Sequence, residues 1–199
     1  MNKRFLFFQL LLLVVLLSGY PALAAGELWT IDLDKSSVTF EVKSMMVIPV
    51  KGEFTNFSGT VNYDGRNLEN ANVTAEIATN SITTGVPKRD KHLMSNDFLD
   101  IMHYQKIFFK SKKIIPGELG KFQIVGTLAL HGLSKSVTLN ATPLKVETDA
   151  SGKQKIITTA TTTLNRKDYG INMGWIDQAG VAVADKVKVI LNIELNQAG

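Results

Sequence analysis

Beyond its first two dozen residues the chain alternates apolar and polar positions with a period of two, the spacing of half-buried β-strands rather than of helices. Val38, Phe40 and Val42 fall on one side, while Ser37, Thr39, Glu41 and Lys43 fall on the other. The same alternation holds for Phe57, Val61 and Tyr63; for Val73, Ala75 and Ile77; for Phe122, Ile124, Leu128 and Leu130; and for Val137, Leu139 and Ala141. It ends with Val187, Val189, Leu191, Ile193 and Leu195. Asp64-Gly65, Pro116-Gly117, His131-Gly132 and Ser151-Gly152 punctuate these runs with turn chemistry. The pattern predicts an all-β, up-and-down antiparallel chain.

Two stretches interrupt it. Between Val86 and Tyr104 the apolar residues Leu93, Met94, Phe98, Leu99 and Met102 follow helical spacing, which predicts one or two short helices, the second capped by Ser95 or Asn96. From Arg166 to Ala179 a Gly-, Asn- and Asp-rich segment carrying Tyr169, Ile171, Met173 and Trp175 reads as a long loop. Both are candidates for covers over an opening. About eight strands of this kind escape exposed edges by packing as a sandwich or by closing into a barrel, and an eight-stranded barrel is either filled by its own side chains or holds a small ligand. The alternation leaves both choices open.

Residues 1–24 stand outside this pattern. Lys3 and Arg4 precede the apolar run Phe5 to Leu17, and Ala22-Leu23-Ala24 supplies a small-residue cleavage site, the anatomy of a secretory signal peptide. The run is shorter than the roughly 20 residues of a membrane span. The expected product is a single domain over 25–199, periplasmic or secreted, with no stable membrane insertion after the signal is removed. Without Lys3 and Arg4 the formal charge drops from +4 to +2, too weak to argue for a nucleic-acid partner.

The chain has no cysteine, which excludes disulfides, thiolate metal sites and a cysteine nucleophile. It lacks a G-x-S-x-G elbow, a P-loop and a dinucleotide fingerprint, so nothing points to an enzyme or calls for a cofactor. The histidines at 92, 103 and 131 have no compact ligand spacing; His92, Asp97, Asp100 and His103 offer at best a helix-borne metal site, and none is assigned.

Several ordered motifs give the chain a family resemblance. They begin with Trp29-Thr30-Ile31-Asp32, the strand from Ser37 to Lys43, and Gly52-Glu53-Phe54 leading to Phe57-Ser58-Gly59. Arg89-Asp90-Lys91-His92-Leu93, Asp97-Phe98-Leu99-Asp100 and Ile107-Phe108-Phe109-Lys110-Ser111 agree in both identity and spacing. Leu130-His131-Gly132, Asn165-Arg166-Lys167-Asp168-Tyr169-Gly170 and Val183-Ala184-Asp185-Lys186-Val187 complete the series. In this order they resemble the YceI-like proteins over nearly all of 25–199. The resemblance implies an extended, lipocalin-like antiparallel barrel in the periplasm, often dimeric, whose interior takes a long isoprenoid or similar amphiphile. Ser44 where the family commonly has His, Gln105 where it commonly has Pro, and the longer segment Met45 to Val50 are departures.

The expected lining is Phe40, Val42, Phe54, Phe57, Val61, Ile77, Phe108, Ile124 and Leu128, although Phe108 and Phe109 cannot both face inward from one strand. Met45 and Met46 are placed at an entry. Arg89, His92, Tyr169 and Trp175 are the candidates for a head group or the barrel mouth, with the alternative that Arg89, Asp90 and His92 only pin a short helix. Two readings follow: an isoprenoid- or fatty-acid-binding protein for transport, storage or sequestration, or a structural β-domain with a filled core.

Overall fold

The computed structural model describes residues 27–44, 49–172 and 183–198; residues 1–24, where a signal peptide is expected, and Met45, Met46 and Trp175 lie outside the described residues. The strand segments are β1 (Glu27–Ile31), β2 (Ser37–Ser44), β3 (Val50–Phe54), β4 (Phe57–Tyr63), β5 (Asn72–Ala78), β6 (Ile82–Thr83), β7 (Lys106–Pro116), β8 (Phe122–Leu130), β9 (Leu133–Ala141), β10 (Lys145–Thr148), β11 (Gln154–Asn165) and β12 (Val183–Gln197). One α-helix, α1 (Pro87–Met94), is described.

These segments combine into eight bent runs. β1 and β2 both pair with β12, β4 pairs with β1, and β3 pairs with β2. β5 and β6 pair with β4 and β3, while β9 and β10 both pair with β11. Every run therefore lies antiparallel to its chain neighbour, as the alternation predicts. The last closes against the first, giving an all-β barrel without a free edge along its main ladders. The longest ladder, β11 against β12, runs from Lys155 opposite Asn196 to Asn165 opposite Lys186.

Turn chemistry sets the hairpins. His131 and Gly132 have φ of 51° and 74°, the consecutive left-handed pair that a two-residue hairpin needs, and Leu130 pairs directly with Leu133 across it.

The region between β6 and β7 contains one helix. Pro87 occupies the first turn of α1, where its missing N–H costs nothing. Ser95 closes α1 at its C-terminal end instead of starting a second helix. Beyond it, Asp100 takes φ 45° and the chain turns back, Leu99 N–H donating to Leu93 O and Ile101 N–H to Met94 O. Phe98 and Leu99 are buried together against Ile82 and Ile171, capping one end of the barrel. At the opposite end Trp29 packs with Ile156 and Leu195.

Two interior rings rest on strand glycines. Phe40 lies directly across from Gly52, and a Cβ built on Gly52 falls 2.3 Å from the Phe40 ring. On Gly126 it falls 2.5 Å from both the Phe109 ring and the carbonyl oxygen of Lys110. The glycines are sockets that let bulky rings lie flat on the inner wall. Gly126→Ala is expected to lower stability by about 1–3 kcal/mol through overpacking, read as a lower urea midpoint with an unchanged slope.

Candidate functional site: an apolar barrel interior

The closed sheet sends alternate side chains into one lumen. β12 contributes Val187, Val189, Leu191, Ile193 and Leu195, β2 contributes Val38, Phe40 and Val42, and β8 contributes Ile124 and Leu128. The cavity measures about 320 Å³ and runs from Leu68 and Leu144 at the Trp29 end to Leu93 and Leu99 beneath the helical cap. That volume lies at the lower end of the ~300–1,000 Å³ of small-molecule sites. Space remains because large residues face small ones: Ala75, Thr158, Ala160 and Thr162 border the same lumen as Phe40, Phe57 and Phe109.

The structure brings Phe40, Val42, Phe54, Phe57, Val61, Ile77, Ile124 and Leu128 together on this wall. Phe108 is the correction. It is 46% exposed on the outer face, and its neighbour Phe109 takes the interior position. A register shift lies between Ser111 and Lys113 in β7, so no single parity describes the whole strand. Before it the odd-numbered Ile107 and Phe109 point inward; after it the even-numbered Ile114 does. An extra residue on one strand reverses the faces beyond it.

The polar candidates separate. Arg89 donates from Nε to Thr84 Oγ1 at 2.7 Å and from Nη2 to the Thr84 carbonyl at 3.0 Å. Asp90 accepts from the Thr84 N–H at 2.8 Å, from the Thr84 hydroxyl, and from the Thr83 hydroxyl at 3.0 Å. Together they fasten α1 to the loop at β6. His92 is exposed, edge-on to Phe98, with Nε2 3.5 Å from Asp97. Neither Arg89 nor His92 borders the lumen, but Tyr169 does. His103 pairs separately with Asp100 at 2.8 Å, and among the described residues no group of three or more acidic or histidine side chains is placed to hold a metal.

Sequence reasoning missed Arg166, the one charged residue bordering the lumen among the described residues. It donates from Nη1 to the Ile171 carbonyl at 2.8 Å and from Nη2 to Asp185 Oδ1 at 2.7 Å. Asp185 also meets Lys167 Nζ at 2.7 Å. The Lys167 ammonium first, then the Arg166 guanidinium, hold the Asp185 carboxyl below its ordinary range. This pairing joins the end of β11 to the start of β12. Only the motif Asn165 to Gly170 signalled it locally. Burial, with Asp168 second, pushes the Tyr169 phenol above its ordinary value.

A meandering antiparallel sheet closed on itself, apolar within and charged on its outer positions, defines a lipocalin-like binding barrel able to take an apolar ligand. The chain belongs to the YceI-like family, whose domain model matches residues 29–195. A UPF0312 protein of Vibrio cholerae serotype O1 is 33% identical over 138 residues, covering 69% of this chain and 73% of its own length. Another from Shewanella sp. strain MR-7 is 32% identical over 167 residues, covering 81% and 87%. Among solved structures, the fold is similar to Burkholderia cenocepacia BcnA, with a TM-score of 0.69 and 24% identity over 82% of this chain and 98% of that one. A Campylobacter jejuni YCEI protein gives a TM-score of 0.69 and 26% identity over 79% and 90%. A polyisoprenoid binding domain from Saccharophagus degradans gives 0.64 and 16% over 85% and 98%.

Removing the Asp90 carboxylate leaves the Thr83 and Thr84 donors unmatched. Asp90→Ala is therefore expected to cost about 1–3 kcal/mol, seen as a lowered Tm.

Proposed function

We propose that the chain is an exported carrier that holds a long-chain isoprenoid or similar amphiphilic lipid inside its barrel for transport, storage or sequestration. The observation that carries this reading is the lumen itself: about 320 Å³ of space lined by apolar side chains from one end of the barrel to the other. Each methylene-sized group moved from water into such a space gains roughly 0.8 kcal/mol, so affinity needs no charged anchor. A filled-core structural domain has no use for this space, and an empty cavity lowers its stability.

Three further points support the reading. The barrel's polarity is the inverse of a membrane-spanning barrel: Glu41, Lys110, Lys188 and Glu194 occupy positions between the inward apolar residues. Residues 1–24 have the anatomy of an export signal, consistent with a periplasmic or secreted product. The S. degradans domain of the same fold is a polyisoprenoid binding domain, although at 16% identity that likeness speaks for architecture.

Organic extraction of the purified exported protein followed by lipid mass spectrometry should recover an isoprenoid or related amphiphile. No extracted lipid, together with no uptake of an added polyprenyl compound by native mass spectrometry, would overturn the proposal.

Filling the lumen provides a second test. Ala160→Phe, on the inner face of β11, is expected to weaken isoprenoid uptake at least about tenfold by occupying the ligand's space, whereas Phe108→Ser on the outer face should leave uptake unchanged. Both are measured by ligand titration of variants whose circular dichroism matches the parent.

A further inference from the structure

We infer that the turn between β7 and β8 docks the barrel reversibly on an anionic lipid bilayer, with Leu119 entering the leaflet and the lysines of the hairpin meeting the phosphates around it. The inference goes beyond the lipid-binding reading and stands whether or not the lumen holds a lipid.

Leu119 stands in the turn that follows Pro116 and is 87% exposed, the most exposed large apolar side chain among the described residues. Its backbone lies at φ 54° and ψ 32°, a left-handed conformation that disfavours leucine and suits glycine, as in Gly120 beside it at φ 73°. Neither packing nor backbone preference accounts for a leucine here, whereas burial in hydrocarbon does. Ile115, 37% exposed and paired with Gln123 on β8, adds apolar surface behind the tip.

The charges on the hairpin select an anionic surface. Lys110, Lys112, Lys113 and Lys121 are all exposed, and none makes an ion pair among the described residues. Lys113 lies three residues before Pro116, roughly 10 Å up the strand and about one Debye length at 0.1 M salt, so its charge still acts at a surface that the tip touches. Against the four lysines stands Glu118 in the turn itself. The neighbouring connection, whose Leu68 packs against the cluster of Ile114 and Phe122, adds Glu69, and its Asp64 is offset by Arg66. On the other side Lys145 and Lys155 are taken up by Glu147 and Glu194, so the hairpin keeps a positive surplus. An apolar point set among lysines makes a poor core for a protein interface, where lysine is depleted, but the interfacial zone of a bilayer accepts both. The turn also stands at an end of the lumen: Phe122 at its base borders the cavity, and a Cβ built on Gly120 falls 3.3 Å from Pro143, next to Leu144 on the cavity wall. Docking by this turn brings that end of the lumen to the membrane.

The test is co-sedimentation of the purified exported protein with sucrose-loaded vesicles of phosphatidylcholine, with and without phosphatidylglycerol. The parent is expected to sediment with the phosphatidylglycerol vesicles, more weakly as salt is raised, and far less with phosphatidylcholine alone. Leu119→Gly is expected to lower vesicle affinity about tenfold and to melt at or above the parent, because glycine suits the backbone there. The double variant Lys113→Gln, Lys121→Gln is expected to lose about tenfold on the anionic vesicles. A parent that does not sediment, that sediments equally with both vesicle types, or whose sedimentation neither variant weakens would overturn docking by this turn. A Leu119→Gly protein melting well below the parent would make the leucine a packing residue and overturn it too. So would a dimer that Leu119→Gly dissociates without any sedimentation of the parent, which makes the tip a contact between copies. None of the three substituted residues borders the lumen, so uptake of an added isoprenoid should be unchanged in both variants. A parent that docks yet holds no lipid would overturn the proposed function and leave docking standing.

Discussion

The ladder between β11 and β12 is the constraint on which the rest of the molecule depends. It turns an open meander into a ring, and once the ring is closed, strand parity alone decides what lies inside. The inward residues from Val187 to Leu195 and from Ile156 to Leu164 lie side by side on one stretch of the inner wall because their strands share this ladder. The Arg166–Asp185 pair sits where the two strands diverge, and of the two only Arg166 also borders the cavity.

The second determinant is the distribution of side-chain size. Gly52 and Gly126 let Phe40 and Phe109 lie against the wall, while Ala75, Ala160 and the inward threonines of β11 hold back the volume needed to fill the centre. A packed core of the same perimeter would be more stable. Retaining the gap leaves room in the barrel for an apolar ligand.

Much of this was legible in the sequence. Alternation in β2, β4, β5, β8 and β12 assigned inward faces correctly because each of those assignments lies within one uninterrupted register. β7 shows the limit: its shift between Ser111 and Lys113 means that no single parity describes both ends, so Phe108 and Ile114 share a parity but not a face. Helical spacing around Phe98 and Met102 left open one helix or two, and the structure has one among the described residues. Burying the consecutive residues Phe98 and Leu99 under the cap, with Asp100 at positive φ, gave a turn instead of a second helix. Arg166 was hidden because its meaning comes from Asp185 in the next strand, a pairing that no local pattern records. Tyr169 was named among the head-group or mouth candidates, and its burial on the cavity wall emerges only from the three-dimensional structure.

The pairing of Trp29 with Gln197 also fixes an order of events. The first strand of the ring has the last as its neighbour, so a contact needed for closure spans nearly the full sequence separation of the domain. Such distant contacts come at a high chain-entropy cost and slow folding. A chain emerging N-terminus first carries an incomplete trough with its apolar face open until the final strand arrives. The apolar compartment is therefore complete only once β12 has joined the ring.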